Sequence, residues 1–319
     1  MASRQAPIAA RTITEGDLGV NISSFRRHLG AENLSPRTVK SYLEAADLFS
    51  RFLADRGMPL LVANITREHV EEFTTDQLVR WKPATAANRF RSLQQFFKWL
   101  GEEGELTGGN PMDNMHPPKV PVEPPTVLTN DELKALLATC SGSTFADRRD
   151  QAILWVFIDT GARIGEVAGI RWNPDDAENH DVDLDDGLLR LHGKGDKWRW
   201  VSMGRKTIRA MDRYLRARGS HSEAFSHSLW VGGKGAMIDS GIRQMIRRRG
   251  RQARFKTQLR PHVLRHTYAH RFLSKGGQET DLMRLAGWSS RQMVQRYGAS
   301  AAQERAINAA RRMSLGDDL

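Results

Sequence analysis

The organisation of this chain is decided by residues 110–125, Asn110-Pro-Met-Asp-Asn-Met-His-Pro-Pro-Lys-Val-Pro-Val-Glu-Pro-Pro125, which hold six prolines. Proline has no backbone N–H and a fixed φ, so this stretch can continue neither a helix nor a central strand. We therefore predict a linker over residues 110–128. The length of 319 residues suits a protein of about two domains, one on each side of this linker.

Helical patterns fill the sequence before the linker. Ser35 and Pro36 form a strong helix start, with the serine as N-cap and the proline in the first turn. Apolar residues recur at helical spacing after Pro36 and again from Asn88 to Leu100, and their aromatic members favour core packing over base stacking. We expect a helical domain over residues 20–109, basic on one face, preceded by a flexible N-terminal arm over residues 1–19.

A second domain is predicted over residues 129–319. Thr129 and Glu132 form a capping box that opens a helix. Leu188–Leu191 and Trp198–Val201 have the residue types of two short strands, and the glycines between them indicate a hairpin turn. Further helical patterns follow to the end, so the fold class expected is mainly α with a small β-sheet, an α+β protein.

Charge and cysteine content limit the function classes. The formal net charge is +11 and the pI is about 10.1, which favours a polyanionic partner such as nucleic acid, although ribosome or membrane-surface binding would explain the charge alone. The single cysteine, Cys140, excludes an internal disulfide and a cysteine-based zinc site, so we expect a cytoplasmic protein. No apolar run approaches the roughly 18 residues that span a bilayer, and no membrane partner is expected.

Four separated segments carry a recognisable pattern. They are Thr160-Gly-Ala-Arg163-Ile-Gly-Glu166, then Gly193-Lys194-Gly195, then His262-Val-Leu-Arg265-His266, and finally Gly287-Trp288 with Tyr297 nine residues later. In order and spacing they resemble the signature of the tyrosine recombinases of the phage-integrase type. The resemblance covers the whole second domain. The helical first domain is more loosely similar to the core-binding domain of the same family.

This resemblance implies a site-specific recombinase that clamps double-stranded DNA between its two domains. It implies cleavage and rejoining through a 3'-phosphotyrosyl intermediate, with no metal, cofactor or ATP, in the integration, excision or resolution of DNA elements. It also implies a homo-tetramer on paired DNA sites, with a C-terminal helix over residues 301–313 as a subunit-exchange element. Accessory DNA-bending or directionality factors are further partners that the family admits.

The chemistry of phosphodiester cleavage explains the charged and nucleophilic positions. In-line attack builds negative charge on the non-bridging oxygens, and the two guanidinium groups of Arg163 and Arg265 suit that charge because they donate bidentate hydrogen bonds. Tyr297 is the expected nucleophile. A tyrosine hydroxyl has a pKa near 10, so it needs a neighbouring base and a neutralised phosphate.

The remaining catalytic positions are assigned proton transfer and support. Lys194 holds the family position of the general acid that protonates the leaving 5' oxygen, with Lys197 as the alternative in the same turn. His262 occupies the position of the general base, and His266 is expected to be a structural hydrogen-bonding residue. Trp288 stands where a histidine is more usual, and an indole can donate a hydrogen bond but cannot shuttle a proton. Glu166 is expected to orient nearby donors.

A basic run beyond the hairpin suggests a DNA-contacting helix. Residues 243–256 carry seven basic side chains and no acidic one, around the apolar positions of a helical core edge. Non-specific phosphate contact is the preferred interpretation over a solvated face, with four candidate residues, Arg243, Arg247, Arg248 and Arg249.

Other sites and functions fit the sequence less well. His262, His266 and His270 share one helix face, but the glutamate that a zinc protease needs after the first histidine is missing. The acidic stretch from Asp181 to Gly187 departs from a calcium loop, and it is interpreted as a turn. The rival functions are a non-catalytic architectural or regulatory DNA-binding protein, which the complete set of catalytic positions argues against, and a type IB topoisomerase.

Overall fold

The computed structural model describes residues 17–121, 125–193 and 195–291, with Val294 and five positions between 306 and 313. The chain divides into two compact units, Met1–Val122 and Glu123–Leu319. This division falls inside the predicted linker, while the exact bounds of the two domains stay a prediction. The helix predicted over residues 301–313 lies almost wholly outside the described residues.

Within residues 17–121 the first unit is built of α-helices: α1 Leu18–Ala31, α2 Pro36–Asp55, α3 Arg67–Arg80 and α4 Pro83–Glu102. Ser35 caps α2 as expected, because its Oγ accepts the N–H of Thr38 at 3.2 Å. The aromatic side chains pack against one another in the core, with Phe49 edge-on to Phe73 and Phe97. The interpretation of these rings as core residues is confirmed.

The structure corrects the ends of the first unit. Asp17 caps α1 and Leu18 is fully buried, so the last residues assigned to the predicted arm belong to the first helix, while residues 1–16 lie outside the described residues. At the other end Met112 and Met115 are buried in the core of this unit. The early part of the proline-rich stretch therefore packs on the first unit. Its prolines prevent a helix, but the methionine side chains can still be buried against an apolar surface.

The described part of the second unit is also mainly helical: α5 Asn130–Ala138, α6 Phe145–Thr160, α7 Ile164–Ala168, α8 Arg205–Arg218, α9 Asp239–Gln252, α10 Pro261–Ser274 and α11 Glu279–Ala286. The predicted capping box at Thr129 is present, since its Oγ accepts the N–H of Glu132 and its own N–H donates to the Glu132 carboxylate. The core of this unit includes fully buried side chains of large volume, Trp230 and Tyr214 among them.

Two small antiparallel sheets complete the second unit. Strands β1 Val182–Asp183, β2 Leu188–Gly193 and β3 Lys197–Ser202 pair in the order β1-β2-β3, and β4 Val231–Gly232 pairs with β5 Gly235–Ala236. The β2–β3 hairpin pairs Gly193 with Lys197, as its turn residues predicted. The expected class, mainly α with a small β-sheet, is confirmed. In the described part of the chain, none of the helices combines the length and apolar character needed to cross a bilayer.

Candidate active site

A sharp turn between α6 and α7 presents Arg163. Gly161 ends α6 in the left-handed region with φ 59°, and a Cβ at this position would collide with the ring of Tyr268. Only glycine meets both conditions without strain. Because the chain reverses here, Arg163 becomes the residue that caps α7.

Glu166 fixes Arg163 through both its backbone and its side chain. The Arg163 N–H donates to Glu166 Oε2 at 2.7 Å, and Arg163 Nη1 donates to Oε1 at 2.8 Å. The other terminal nitrogen, Nη2, donates to the carbonyl of Gly287 at 2.8 Å. Arg163 is thus held by α7 and by the end of α11, two segments far apart in the sequence.

Arg265 is held at the same place from the opposite side. It lies on α10 and is buried, and its Nη1 donates to the carbonyl of Gly161 at 2.6 Å. Its Nη2 donates to the carbonyl of Ala286, also at 2.6 Å. Arg163 and Arg265 therefore bind consecutive carbonyls at the end of α11, and the structure brings these two predicted residues together.

A third arginine at this site, Arg199 on β3, was not predicted from the sequence. Its Nη1 and Nη2 donate to the two carboxylate oxygens of Glu166 at 2.9 and 2.8 Å, and its Nε donates to the carbonyl of Leu285 at 2.8 Å. The sequence did contain a signal for Arg199, namely its position in the alternating pattern of strand β3. Arg199 pairs with the buried Leu191 and lies two residues before the buried Val201, so it is a charged residue on the inward face.

The surroundings of Glu166 keep its carboxylate ionised. Burial alone would raise the pKa of Glu166, but the hydrogen bonds and charges of Arg199 and Arg163 lower it below its usual value. The prediction that Glu166 orients nearby donors agrees with these contacts, because both guanidinium groups bind its oxygens.

Trp288 forms a surface against which Arg265 packs. The chain enters Trp288 through Gly287, which adopts a left-handed conformation with φ 64° at the end of α11. The indole is buried among Leu282, Ala286 and other apolar side chains, and the guanidinium carbon of Arg265 lies 5.1 Å from the ring centroid. This distance is within the range of a cation–π interaction.

His262 is exposed in the first turn of α10, beside the arginine cluster. Partial burial of the ring lowers the pKa of His262, and the positive charges of Arg265, Arg243 and Arg163 lower it further. The ring of His266 lies 6.2 Å away, between ring centroids. A lowered pKa favours the neutral imidazole near pH 7, which is the form that accepts a proton.

A cavity of about 630 Å³ opens beside the arginine cluster. Its lining includes Arg163 and Trp288 together with Gly193, Gly195 and Lys197 of the hairpin. Lys194, between the two glycines, and Tyr297 both lie outside the described residues. Of the predicted catalytic residues, the structure therefore brings together Arg163, Arg265, His262 and Trp288.

The four candidate DNA-binding arginines of α9 have different surroundings. Arg249 is buried, and its guanidinium binds Asp150 at 2.8 Å and Asp147 at 2.9 Å, so it anchors the helix and is not on a cationic face. Arg248 is half exposed and also binds Asp150, at 2.7 Å. Arg243 and Arg247 are partly exposed. The correction follows from the one-turn repeat of the helix, because the buried Met245 and Ile246 carry Arg249 to the core side.

The acidic stretch near residue 181 has a structural explanation. Asp181 is buried, and its carboxylate accepts hydrogen bonds from Arg171 and Arg190. Among the residues that the structure describes, no group of three or more histidine, cysteine, aspartate or glutamate side chains has an arrangement suited to a metal ion.

Sequence comparison identifies relatives along most of the chain. Residues 126–304, more than half of the chain, match the phage integrase family, and residues 22–104 match the N-terminal SAM-like domain of phage integrases. Tyrosine recombinase XerC of Oceanobacillus iheyensis is 29% identical over 287 residues, which cover 88% of this chain and 91% of the relative.

Solved structures share the fold. The XerH site-specific recombinase bound to a palindromic difH substrate matches with a TM-score of 0.70 and 18% identity, covering 91% of this chain and 83% of that one. A lambda integrase tetramer bound to a Holliday junction matches with a TM-score of 0.68 and 16% identity, over 91% of this chain and 83% of the other.

Proposed function

Because this chain belongs to the phage integrase family, we propose a division of catalytic work among its residues. The chain is a tyrosine site-specific recombinase. In our proposal the hydroxyl oxygen of Tyr297 attacks the scissile phosphorus, the bond from phosphorus to the 5' oxygen breaks, and a 3'-phosphotyrosyl link forms. The reverse attack by a 5' hydroxyl rejoins the strand, and the phosphotyrosine conserves the bond energy, so neither ATP nor a metal takes part.

The proposal depends most on one observation, the convergence of Arg163 and Arg265 on consecutive carbonyls of α11. Two guanidinium groups held side by side suit the two non-bridging oxygens of one phosphate, whose negative charge grows in the transition state. Glu166 accepts a hydrogen bond from the guanidinium of Arg163, and a backbone carbonyl accepts one from that of Arg265. These bonds restrict the rotation of both side chains, which is the preorganisation that transition-state stabilisation requires.

Proton transfers complete the cycle. His262 accepts the proton of the tyrosine hydroxyl, for which its lowered pKa is suited. Lys194 gives a proton to the departing 5' oxygen, and Lys197, which lines the cavity, is the alternative acid. The hairpin supports this role, since Gly193 pairs with Lys197 at its end and Lys194 directly follows Gly193 in the sequence.

DNA contacts and assembly extend the proposal. Arg243 and Arg247 contact phosphates, Arg248 adds a weaker contact because it is shared with Asp150, and Arg249 is left out. Double-stranded DNA is the substrate and a homo-tetramer on two paired sites is the active assembly, as in the lambda integrase complex that shares the fold. The cytoplasm is the expected compartment, because the DNA substrate lies there and the single cysteine needs no oxidising environment.

The test is covalent trapping on nicked duplex DNA in excess EDTA. The wild-type protein should form a complex that survives denaturation, and peptide mapping should locate the DNA on Tyr297. Tyr297→Phe should bind DNA but form no such complex, because only the hydroxyl is lost. Tyr268→Phe is the matched control, since it also loses one hydroxyl beside the site, and it should still trap DNA. Trapping by Tyr297→Phe, or strict dependence on magnesium, would contradict the proposal.

A further inference from the structure

The C-terminal end of α11 is bound by three arginines from three separate segments. Arg199 of β3 donates to the carbonyl of Leu285, Arg265 of α10 to that of Ala286, and Arg163 of the α7 cap to that of Gly287. These carbonyls are consecutive. The last carbonyls of a helix lack partners within it and carry partial negative charge, so they are natural acceptors for guanidinium groups.

Arg199 lines the same cavity as Arg163, but its guanidinium is engaged by the protein. Its side chain is only 13% exposed, and all three of its nitrogens donate to protein atoms, two to Glu166 and one to Leu285. Its contacts therefore join β3, α7 and α11 to one another.

Glu166 is shared between Arg199 and Arg163. Its oxygens accept from Arg199 at 2.8 and 2.9 Å and from the Arg163 guanidinium at 2.8 Å, and its side chain is 3% exposed. One buried negative charge thus faces two positive charges. Without Arg199 the carboxylate would be balanced by Arg163 alone, so the charge of that guanidinium would be neutralised by Glu166 and its attraction for a phosphate would weaken.

The same ion pair lies under the hairpin. A Cβ added to Gly193 would lie 3.4 Å from Glu166 Oε1 and 3.5 Å from Arg199 Nη1, so the backbone of Gly193 rests directly on the pair. Gly193 immediately precedes Lys194. The pair therefore contacts the backbone that leads into the turn of the proposed general acid.

We propose that Arg199 is a positioning residue for strand cleavage. It holds Glu166 so that Arg163 keeps both its place and its unbalanced positive charge for the scissile phosphate, and it ties the hairpin to the end of α11. Arg199 does not touch the DNA in this assignment. The inference rests on the proposed role of Arg163 in phosphate binding.

The chain offers a closely matched control in Arg190 on the neighbouring strand β2. Arg190 Nε donates to the buried carboxylate of Asp181 at 2.9 Å, and that carboxylate is shared with a second arginine, Arg171. Arg190 and Arg199 lie on the same sheet, and Arg199→Ala and Arg190→Ala each remove one of two arginines that bind a buried carboxylate. The variants differ in the arginine that remains, which is Arg163 for Glu166 and Arg171 for Asp181.

The experiment measures single-turnover formation of the covalent complex, together with DNA affinity and thermal unfolding of each variant. Arg199→Ala should slow cleavage by about 10- to 100-fold with little change in affinity, since small misplacements of catalytic groups have effects of this size. The cleavage rate of Arg190→Ala should stay within about threefold of the wild-type rate. Arg199→Lys keeps the positive charge but lacks the planar guanidinium donors, so its cleavage rate should fall between those of wild type and Arg199→Ala. If the alanine variant unfolds, the lysine variant still tests the inference.

Two further measurements separate positioning from a general structural defect. In an Arg163→Ala background, Arg199→Ala should slow cleavage by a much smaller factor than it does in the wild-type protein, because its effect passes through Arg163. A methylphosphonate at the scissile position carries no charge for Arg163 to neutralise, so the deficit of Arg199→Ala should shrink on this substrate while any deficit of Arg190→Ala does not change.

Full additivity with Arg163→Ala, an equal deficit on both substrates, or equal defects in Arg199→Ala and Arg190→Ala would each overturn the inference. Failure of the wild-type protein to trap DNA would instead reject the proposed function, so the two failures are distinguishable.

Discussion

The guanidinium carbon of Arg265 lies 5.1 Å from the centre of the Trp288 ring. This contact assigns the tryptophan a structural task at a position where the family more often has a histidine. The ring supports the cation to which we assign phosphate binding, and its face carries the negative part of the aromatic quadrupole.

The cleavage rate of Trp288→Phe should therefore lie within about tenfold of the wild-type rate, because a smaller ring still offers a face to Arg265. Trp288→Ala should lose about 3–5 kcal/mol of unfolding free energy, as expected when a large buried aromatic is removed. Denaturant unfolding and single-turnover cleavage check the pair. Equal cleavage rates for the phenylalanine and alanine variants would show that the ring face does not matter.

The pH dependence of cleavage should report His262. A base must be neutral, so the rate should fall as pH drops through the pKa of His262, with a midpoint below the ordinary value near 6.5. Arg243→Ala should move this midpoint upward, because removing a nearby positive charge stabilises the protonated ring. Rates measured from pH 5 to pH 8 test this, and the acidic limb should disappear in His262→Ala. A midpoint that stays in place in Arg243→Ala would contradict the electrostatic explanation.

Lys194→Ala should slow cleavage of ordinary DNA by about 100-fold or more if this lysine is the general acid. A substrate with sulfur in place of the bridging 5' oxygen has a better leaving group and needs no proton, so it should restore the rate. Arg163→Ala and Arg265→Ala should stay impaired on it, since they act on the non-bridging oxygens. If the sulfur substrate restores cleavage by Lys197→Ala instead, Lys197 is the general acid. If it restores cleavage by neither lysine variant, the general acid does not lie in this hairpin.

Salt dependence should separate the arginines of α9. Replacing Arg243 and Arg247 by alanine should lower the slope of the logarithm of affinity against the logarithm of salt concentration by about 0.9 for each lost phosphate contact. Arg249→Ala should instead destabilise the protein by about 1.5–3 kcal/mol, because the buried Asp150 loses one partner and keeps Arg149 and Arg248, and it should leave the slope unchanged. Binding titrations over a range of salt with parallel unfolding curves measure both effects. A slope unaltered by losing Arg243 and Arg247 would identify them as solvated residues.

Local chemistry explains what could be predicted from the sequence. Ser35 and Thr129 signal helix starts through hydrogen bonds to residues three positions on, and the turn between β2 and β3 is marked by its glycines. The fold class followed from such signals. The grouping of Arg163 with Arg265 did not, because it came from the resemblance to a family and not from any property of either residue.

Long-range contacts explain what was missed. Arg249 and Arg243 look alike in a basic run. The helix repeat places Arg249 on the face of Met245 and Ile246, but its charge can be buried there only because Asp150 on another helix pairs with it, and this partner cannot be identified from the sequence. Arg199 is similar, since its partners Glu166 and Leu285 lie 33 and 86 residues away in the chain. An inward-facing charge in a strand predicts that a partner exists, but not which residue it is.

The arrangement of carbonyls at the end of α11 has a consequence for biosynthesis. The two residues joined by the Arg163–Gly287 hydrogen bond are 124 positions apart, and the first unit and most of the second leave the ribosome before residue 287 does. Domains generally fold from the N-terminus during translation, so a nascent chain can form its first unit while the arginines of the second unit still lack their final acceptors. A cleavage site that depends on this contact, as we propose, can therefore be completed only near the end of synthesis.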